Sequence, residues 1–254
     1  MKVKSKTVLA VGAHPDDVEI FAAGTLALLY EKGWNIVIAT MTAGDLGSVI
    51  HDREAISKIR KKEAMQAAKL FDAAYFCLEN DDIFILYDRP TILKSITLVR
   101  KVRPDIVLTM SPQDYMVDHE ITSQLVRTAC FSASMSQLKT REGKPLEQIP
   151  FLYYCDPMEG KSILGEDIKP STYVDISPVM SLKADMLKCH KSQREWLKKQ
   201  HGVDDYILSM QNFSAARGNE IGVPYAEGFR QHLGHAFPRE NILKKELGGK
   251  VRQI

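Results

Sequence analysis

The first half of the chain alternates short apolar segments, rich in β-branched residues, with longer amphipathic segments. Strands are predicted over residues 7–13, 35–42, 74–78 and 106–110. Helices are predicted over residues 16–32, 52–70, 90–102 and 119–132. Strands that alternate with helices form βαβ units, in which the strands are parallel and the crossovers right-handed. We therefore expect an α/β fold: a doubly wound, Rossmann-like, mostly parallel sheet with helices on both faces.

The second half of the chain is less regular. Strands are predicted over residues 151–155 and 172–176, a long charged helix over residues 177–200, and a further helix over residues 204–218. No linker or low-complexity segment marks a boundary. We expect a single domain over residues 1–254, in which residues 1–135 form the core sheet and residues 136–254 supply substrate-side and C-terminal elements.

Composition and charge exclude several classes of protein. The formal net charge is +2 and there is no dense basic run, which argues against a nucleic-acid partner. No apolar run is long enough to span a bilayer. The four cysteines form no CxxC pair, so we expect packed, reduced thiols. The basic and apolar N-terminus runs directly into charged residues, which is typical of a buried strand, and we expect a cytoplasmic protein.

The segment from Gly12 to Glu19 reads GAHPDDVE and lies where the first predicted strand meets the first predicted helix. Ligands of open α/β sheets bind at the carboxyl ends of the strands. His14 and Asp17 offer the nitrogen and oxygen donors that zinc accepts, and a catalytic zinc takes three protein ligands and one water. Asp16 is placed to take a proton from that water. A plain acidic N-cap explains the same residues, because aspartate is common at helix starts.

A third ligand has to come from another strand end. His119 follows the strand predicted over residues 106–110, in the segment DYMVDH, and would lie beside the first strand in a doubly wound sheet. Asp118 is placed to orient a ligand or the base. A histidine at a helix start is also a common cap or surface residue, so this prediction depends on the first motif.

Together, these two motifs resemble the PIG-L/LmbE-like family of zinc-dependent N-acetylglucosaminyl deacetylases, and the resemblance covers most of the first half of the chain. It implies zinc as the cofactor, with His14, Asp17 and His119 as its ligands and Asp16 as the general base. It implies that the substrate is a small GlcNAc-type sugar or glycoconjugate, from which water removes an N-acetyl group.

The resemblance also assigns residues to the substrate side of the site. Residues 42–45 read TAGD where the family usually has TxGE, so Asp45 replaces a glutamate and its substrate contact reaches less far. Arg60 matches a helical arginine that can face the substrate, and its other interpretation is a solvated helix residue. Asp118 is predicted to belong to the same substrate-binding set.

One position departs from the family pattern. Many relatives have a histidine three residues before the third ligand, where this chain has Met116. His232 and His235, in the segment GVPYAEGFRQHLGH, are candidates for an oxyanion stabiliser or a general acid, although each has an equally simple non-catalytic interpretation. The remaining histidines lie in charged surroundings and are interpreted as surface residues: His51, His190 and His201.

Three functions stay open. The chain has no GxGxxG after the first strand, no P-loop and no GxSxG, which argues against nucleotide binding and serine hydrolysis. The leading hypothesis is a zinc-dependent N-deacetylase, and the second is a zinc amidase that acts on another small amide. The third is a non-catalytic sugar-binding relative, which Met116 slightly favours. The sequence leaves the exact substrate open, as well as assembly into a homo-oligomer.

Overall fold

A computed structural model describes residues 5–201 and 205–254, except the side chains of residues 200 and 201. Its strands are β1 (Thr7–Gly12), β2 (Asn35–Thr42), β3 (Ala74–Asn80), β4 (Ile106–Thr109), β5 (Phe151–Cys155), β6 (Thr172–Asp175), β7 (Ala226–Gln231) and β8 (Val251–Gln253). Its helices are α1 (Asp17–Phe21), α2 (Ala23–Glu31), α3 (Arg53–Ala68), α4 (Arg89–Val102), α5 (Val117–Ser132), α6 (Met180–Leu187), α7 (Lys191–His201), α8 (Tyr206–Ile221) and α9 (Ile242–Leu247).

The strands of the described ranges form one mixed sheet in the order β3-β2-β1-β4-β5-β7-β6-β8. Strands β1 to β5 are parallel, whereas β7 runs antiparallel to both β5 and β6, and β8 runs antiparallel to β6. The predicted α/β, Rossmann-like, mostly parallel sheet is confirmed. Residues 136–254 add four strands to the sheet of residues 1–135, so the two parts share it.

Strand β1 is apolar on both faces, and helices cover each face of the sheet. Val8 and Ala10 of β1 pack in one core with α1, α2, α6, α8 and α9. Leu9 and Val11 pack in the other core with α4 and α5. A strand buried on both faces reads as a continuous apolar run, which is typical of the centre of a parallel sheet. The carboxyl end of β1 therefore lies in the middle of one sheet edge.

Several element boundaries differ from the predictions. The helix predicted over residues 16–32 is interrupted at Ala22, between α1 and α2. The helix predicted over residues 177–200 divides into a 3-10 turn, α6 and α7, with a break at residues 188–190. The helix predicted from residue 204 begins outside the described residues, and α8 covers Tyr206–Ile221. Strands β7 and β8 and helix α9 were missed, because they are short segments with few apolar residues.

Within the described part of the chain, none of the helices has the length and apolar content needed to cross a membrane. All four cysteines are unpaired thiols, two of them buried and two partly buried, as the sequence predicted: Cys77, Cys130, Cys155 and Cys189.

The break between α1 and α2 is stabilised by a buried carboxylate from β7. Glu227 accepts hydrogen bonds from the backbone N–H groups of Gly24 at 2.8 Å and Thr25 at 2.7 Å, which are unpaired at a helix start. Lys183 of α6 donates to the same carboxylate at 2.8 Å, and both side chains are buried. This ion pair therefore joins the helices behind the carboxyl end of β1 to the antiparallel part of the sheet.

We expect Lys183→Met to lower the free energy of unfolding by about 3–5 kcal/mol, because it leaves Glu227 buried without its counter-charge. The matched control is Lys188→Met, which removes an exposed lysine paired with Asp185 and should cost less than about 1 kcal/mol. Urea unfolding of the two variants measures both values. Equal stability of the two variants would show that the buried pair does not hold these elements together.

Candidate active site and metal centre

A tight turn at the carboxyl end of β1 positions the first motif. The Asp17 carboxylate accepts hydrogen bonds from the backbone N–H groups of Ala13 and His14, both at 2.8 Å. Asp16 adopts the left-handed backbone conformation, with φ of 107°, so its side chain leaves the chain in a different direction from that of Asp17. A β-carbon on Gly12 would lie 2.8 Å from the Asp17 β-carbon, which makes glycine necessary there. The sequence therefore folds so that the two adjacent carboxylates face different surroundings.

His14, Asp17 and His119 form a buried cluster, in which one ligand atom from each residue lies within 4.8 Å of the others. His119 Nε2 is 3.4 Å from Asp17 Oδ1, and His14 Nδ1 is 3.6 Å from Asp17 Oδ2. The two imidazole rings have centroids 5.5 Å apart. Since β4 lies beside β1 in the sheet, the loop after β4 brings His119 to the turn after β1. The predicted convergence of these three residues at one sheet edge is thus what the structure shows.

The surroundings of the cluster favour positive charge. Burial lowers the pKa of His14, but Asp118 and Asp17 outweigh it and raise that pKa to about 9. Burial also lowers the pKa of His119. The charges and hydrogen bonds of Asp17 and Asp114 outweigh burial and raise that pKa to about 10. Asp114 Oδ2 lies 3.2 Å from His119 Nδ1, and one buried carboxylate oxygen of Asp118 has no hydrogen-bond partner among the described residues. Two imidazoles and one carboxylate in such a field fit a divalent cation, and this donor set is one that zinc accepts.

Asp16 is held on both sides by residues from distant elements. The Tyr206 hydroxyl donates to Asp16 Oδ2 at 2.5 Å, and Arg60 Nη2 lies 3.5 Å from Oδ1. Burial raises the pKa of the Asp16 carboxyl, and the Arg60 charge opposes that rise. Sequence reasoning missed Tyr206, because it lies 190 positions from Asp16 and no local pattern distinguishes it. The geometry gives Asp16 one defined orientation beside the cluster.

Arg60 is buried beneath two loops of the site. It donates to the carbonyl oxygens of Pro15 at 2.8 Å and Gly44 at 3.3 Å. Gly44 has φ of +71°, and a β-carbon there would lie 2.2 Å from the Arg60 guanidinium. The structure therefore places Arg60 as a support for the loops after β1 and β2 as well as a neighbour of Asp16. A substrate contact by Arg60 stays a prediction.

Asp45 and Asp118 support the site from neighbouring loops. Asp45 pairs with Arg53 and accepts a hydrogen bond from the Asp82 backbone N–H at 2.8 Å. Asp118 Oδ2 lies 3.1 Å from His14 Nε2 and accepts from the Ile83 backbone N–H at 2.8 Å. This contact fits the predicted role of Asp118 in orienting a ligand, which stays a prediction. The substrate-binding roles of Asp45 and Asp118 stay predictions.

The structure does not bring His232 to the cluster. Its Nδ1 lies 3.0 Å from the Tyr154 hydroxyl and its ring packs on Phe237, at 4.2 Å between centroids. Phe237 in turn stacks on Phe131 of α5, twelve residues after His119 in the same helix. Twelve helical residues span about 18 Å, so this packing holds His232 beside the C-terminal half of α5, away from His119.

His235 is exposed in the segment that follows β7. Met116, at the N-cap of α5, therefore gains no substitute imidazole from His232, and catalytic roles for His232 and His235 stay predictions without support from this geometry.

Of the three histidines interpreted as surface residues, His51 is exposed, as predicted. His190 is fully buried, so that interpretation was wrong. The break between α6 and α7 turns its ring inward, where Nε2 lies 3.3 Å from the buried Glu19 carboxylate. The side chain of His201 lies outside the described residues.

We expect the purified protein to bind about one zinc ion per chain, and His14→Ala to abolish that binding because one of three ligands is lost. The matched control is His51→Ala, which removes an exposed histidine and should leave the zinc content unchanged. Metal analysis after removal of loosely bound ions measures both. Full zinc occupancy in the His14 variant would refute the ligand assignment.

Solved structures share this fold. The 4-carboxy-2-hydroxymuconate hydratase GalB from Pseudomonas putida matches with a TM-score of 0.74 and 24% identity, over 93% of this chain and 98% of that one. An N,N'-diacetylchitobiose deacetylase from Pyrococcus horikoshii matches with a TM-score of 0.76 and 24% identity, over 94% of this chain and 89% of the other.

Sequence comparison gives the family. A 4-oxalmesaconate hydratase from Pseudomonas putida is 25% identical over 95% of this chain and 94% of its own length. A diacetylchitobiose deacetylase from Thermococcus kodakarensis is 27% identical over 74% and 70%. The Escherichia coli protein YaiS, an uncharacterized deacetylase, is 31% identical over 50% of this chain and 69% of its own length. The family model described as "PIG-L: GlcNAc-PI de-N-acetylase" matches residues 9–130, and the chain belongs to the PIG-L/LmbE family.

Proposed function

We propose that the chain is a zinc-dependent N-deacetylase, which hydrolyses the N-acetyl group of a small GlcNAc-type sugar or glycoconjugate. The observation that carries this proposal is a buried, oriented carboxylate, Asp16, beside the cluster of His14, Asp17 and His119. Amide hydrolysis needs a base next to an electrophilic centre, and Asp16 lies beside three side chains that could hold a metal ion at the carboxyl edge of the sheet. Family membership supports the same reaction class.

The chemistry follows from the residues around Asp16. Zinc held by His14, Asp17 and His119 supplies a Lewis acid that polarises the acetyl carbonyl and makes water more acidic. Asp16 takes a proton from the attacking water and returns it to the leaving amine nitrogen. Tyr206 and Arg60 fix the Asp16 carboxylate on its two oxygens, so that it meets the water without first reorienting.

The loops at the carboxyl edge offer an apolar rim to the substrate. Large exposed apolar side chains lie on the loops that follow β2, β3 and β4: Val49, Ile50, Ile83, Phe84 and Tyr115. The Tyr115 ring lies 5.8 Å from the His119 ring, so this rim reaches the cluster. We infer that these side chains contact the substrate outside the reacting amide.

Cytoplasmic location and homo-oligomer assembly stay predictions.

Hydration of a carbon–carbon double bond is the second candidate reaction. A relative named as a 4-oxalmesaconate hydratase aligns over 95% of this chain, further than the diacetylchitobiose deacetylase does. Hydration also needs a base that activates water, which Asp16 provides. Met116 supplies no proton donor at a position where many deacetylases have a histidine, and in the hydration Asp16 would return the proton of the water to the neighbouring carbon.

One substrate panel separates the two reactions. The zinc-loaded protein is incubated with N-acetylglucosamine, N,N'-diacetylchitobiose and 4-oxalmesaconate, and released acetate is measured beside the absorbance of the conjugated double bond. We expect acetate release from at least one of the sugars. Loss of absorbance from 4-oxalmesaconate without acetate release from either sugar would replace the deacetylase proposal by the hydratase one.

We expect Asp16→Asn and Asp17→Asn to fail in different ways. Asp16→Asn keeps the shape of the side chain but removes the base, so it should retain zinc and lose turnover by about 10²-fold or more. Asp17→Asn removes the charge of a ligand and places an amide NH2 either toward the metal or toward the backbone N–H groups of Ala13 and His14, so it should bind zinc less tightly. Zinc content and initial rate, measured side by side, give the comparison.

Each aspartate is the matched control for the other, because both lie in the same turn and differ only in what they face. Loss of zinc from the Asp16 variant, with an inactive but loaded Asp17 variant, would exchange the two roles. Wild-type rates in both variants on a confirmed substrate would rule out this mechanism.

A further inference from the structure

The Arg230 guanidinium lies at the carboxyl edge of the sheet, on the face that α5 covers. Arg230 of β7 is paired directly across from Tyr154 of β5, and Tyr154 belongs to the core that packs on α5. Arg230 Nη2 donates to Ser111 Oγ at 2.7 Å, and Nε is buried without a hydrogen-bond partner among the described residues. Arg230 is partly exposed. Its guanidinium therefore keeps donors for a group that the chain itself does not provide.

No carboxylate of the described residues lies within the 4.0 Å ion-pair distance of Arg230. Asp156 is close enough for its charge to act on Arg230, but its Oδ2 already accepts from Arg217 Nε at 2.7 Å. Burial is the main influence on Arg230 and lowers its pKa. A half-buried guanidinium without an ion-pair partner is costly unless a ligand supplies the charge.

Arg127 of α5 adds a second positive charge near Tyr154. Arg230 is paired across from Tyr154 in the sheet, and the charges of Arg127 and Arg230 both act to lower the pKa of Tyr154, which burial raises to about 12. Burial and the Arg127 charge also lower the pKa of His232, which contacts that hydroxyl. Arg127 is exposed and, among the described residues, has no carboxylate at ion-pair distance. The region between α5 and β7 around Tyr154 therefore carries two positive charges.

Sheet register places the Arg230 end of this region on the side of the metal cluster. The last paired residues of β1 and β4 are Val11 and Thr109, so Ala13 and Ser111, two residues further along, follow the ends of neighbouring strands. Neighbouring strands are about 5 Å apart, which puts the Arg230 guanidinium on the order of 10 Å from His14. A small sugar derivative spans that distance.

We propose that Arg230, with Ser111 and Arg127, forms a subsite that binds a carboxylate or phosphate group of the substrate. The planar guanidinium fork matches either oxyanion and binds it through two hydrogen bonds. The inference rests on the proposed function only in that the reacting group lies at His14, Asp17 and His119. It makes an anionic compound the preferred substrate over the neutral sugars.

Binding of non-reacting amines tests the subsite without relying on turnover. The probes are glucosamine, muramic acid, which carries a carboxylate, and glucosamine 1-phosphate, and their dissociation constants for the zinc-loaded protein are measured by calorimetry. We expect one of the two anionic probes to bind about 10- to 100-fold more tightly than glucosamine, the range for hydrogen bonds to a charged group. Which probe gains affinity tells carboxylate from phosphate.

Arg230→Gln should abolish that preference, and Arg230→Lys should keep a part of it because the charge remains without the fork. Arg239→Gln, which removes an exposed arginine of the same segment, is the matched control and should keep the preference in full. Arg127→Gln on the surface of α5 is a second variant, expected to weaken the preference without affecting the fold.

Equal affinity of the wild type for glucosamine and both anionic probes would overturn the subsite. A preference that survives in both Arg230→Gln and Arg127→Gln would overturn it as well. Absence of acetate release from every sugar, together with an Arg230-dependent preference for an anionic probe, would instead reject the deacetylase and leave the subsite standing.

Discussion

The Asp17 carboxylate is the group on which the rest of the site depends. Through Oδ2 it accepts the backbone N–H groups of Ala13 and His14, which closes the turn at the end of β1. Through Oδ1 it faces Nε2 of His119 at 3.4 Å, which comes from the neighbouring strand end. Burial opposes ionisation of Asp17, but His119 and His14 lower its pKa well below the usual range. One charged group therefore shapes the loop and completes the candidate metal centre.

The turn also places two adjacent carboxyl groups in different electrostatic surroundings. Asp17 lies among imidazoles and stays ionised, whereas burial raises the pKa of Asp16, which contacts Tyr206 and Arg60. Neighbouring acids with pKa values pushed in opposite directions are typical of an acid–base site. The positive φ of Asp16 is the backbone feature that makes this separation possible, because it sends the two side chains apart.

The sequence predicts those parts of the fold and site that depend on local patterns. Strand β1 is a continuous apolar run, and the HPDD segment after it is local, so both were found. His119 was found because the carboxyl ends of parallel strands meet at one edge. Tyr206 was missed because a hydrogen bond between residues 190 positions apart leaves no local pattern. His190 was misplaced because its charged neighbours in sequence hide a helix break, and the break buries the ring against Glu19.

The most direct test of the metal centre is a crystal structure of the zinc-soaked protein with anomalous diffraction data at the zinc absorption edge. We predict one strong anomalous peak, bonded at about 2.0–2.2 Å to His14, Asp17 and His119, with Asp16 adjacent but not bonded. A peak bonded to other side chains, or to Asp16 in place of Asp17, would contradict the assignment of the ligands and of the base.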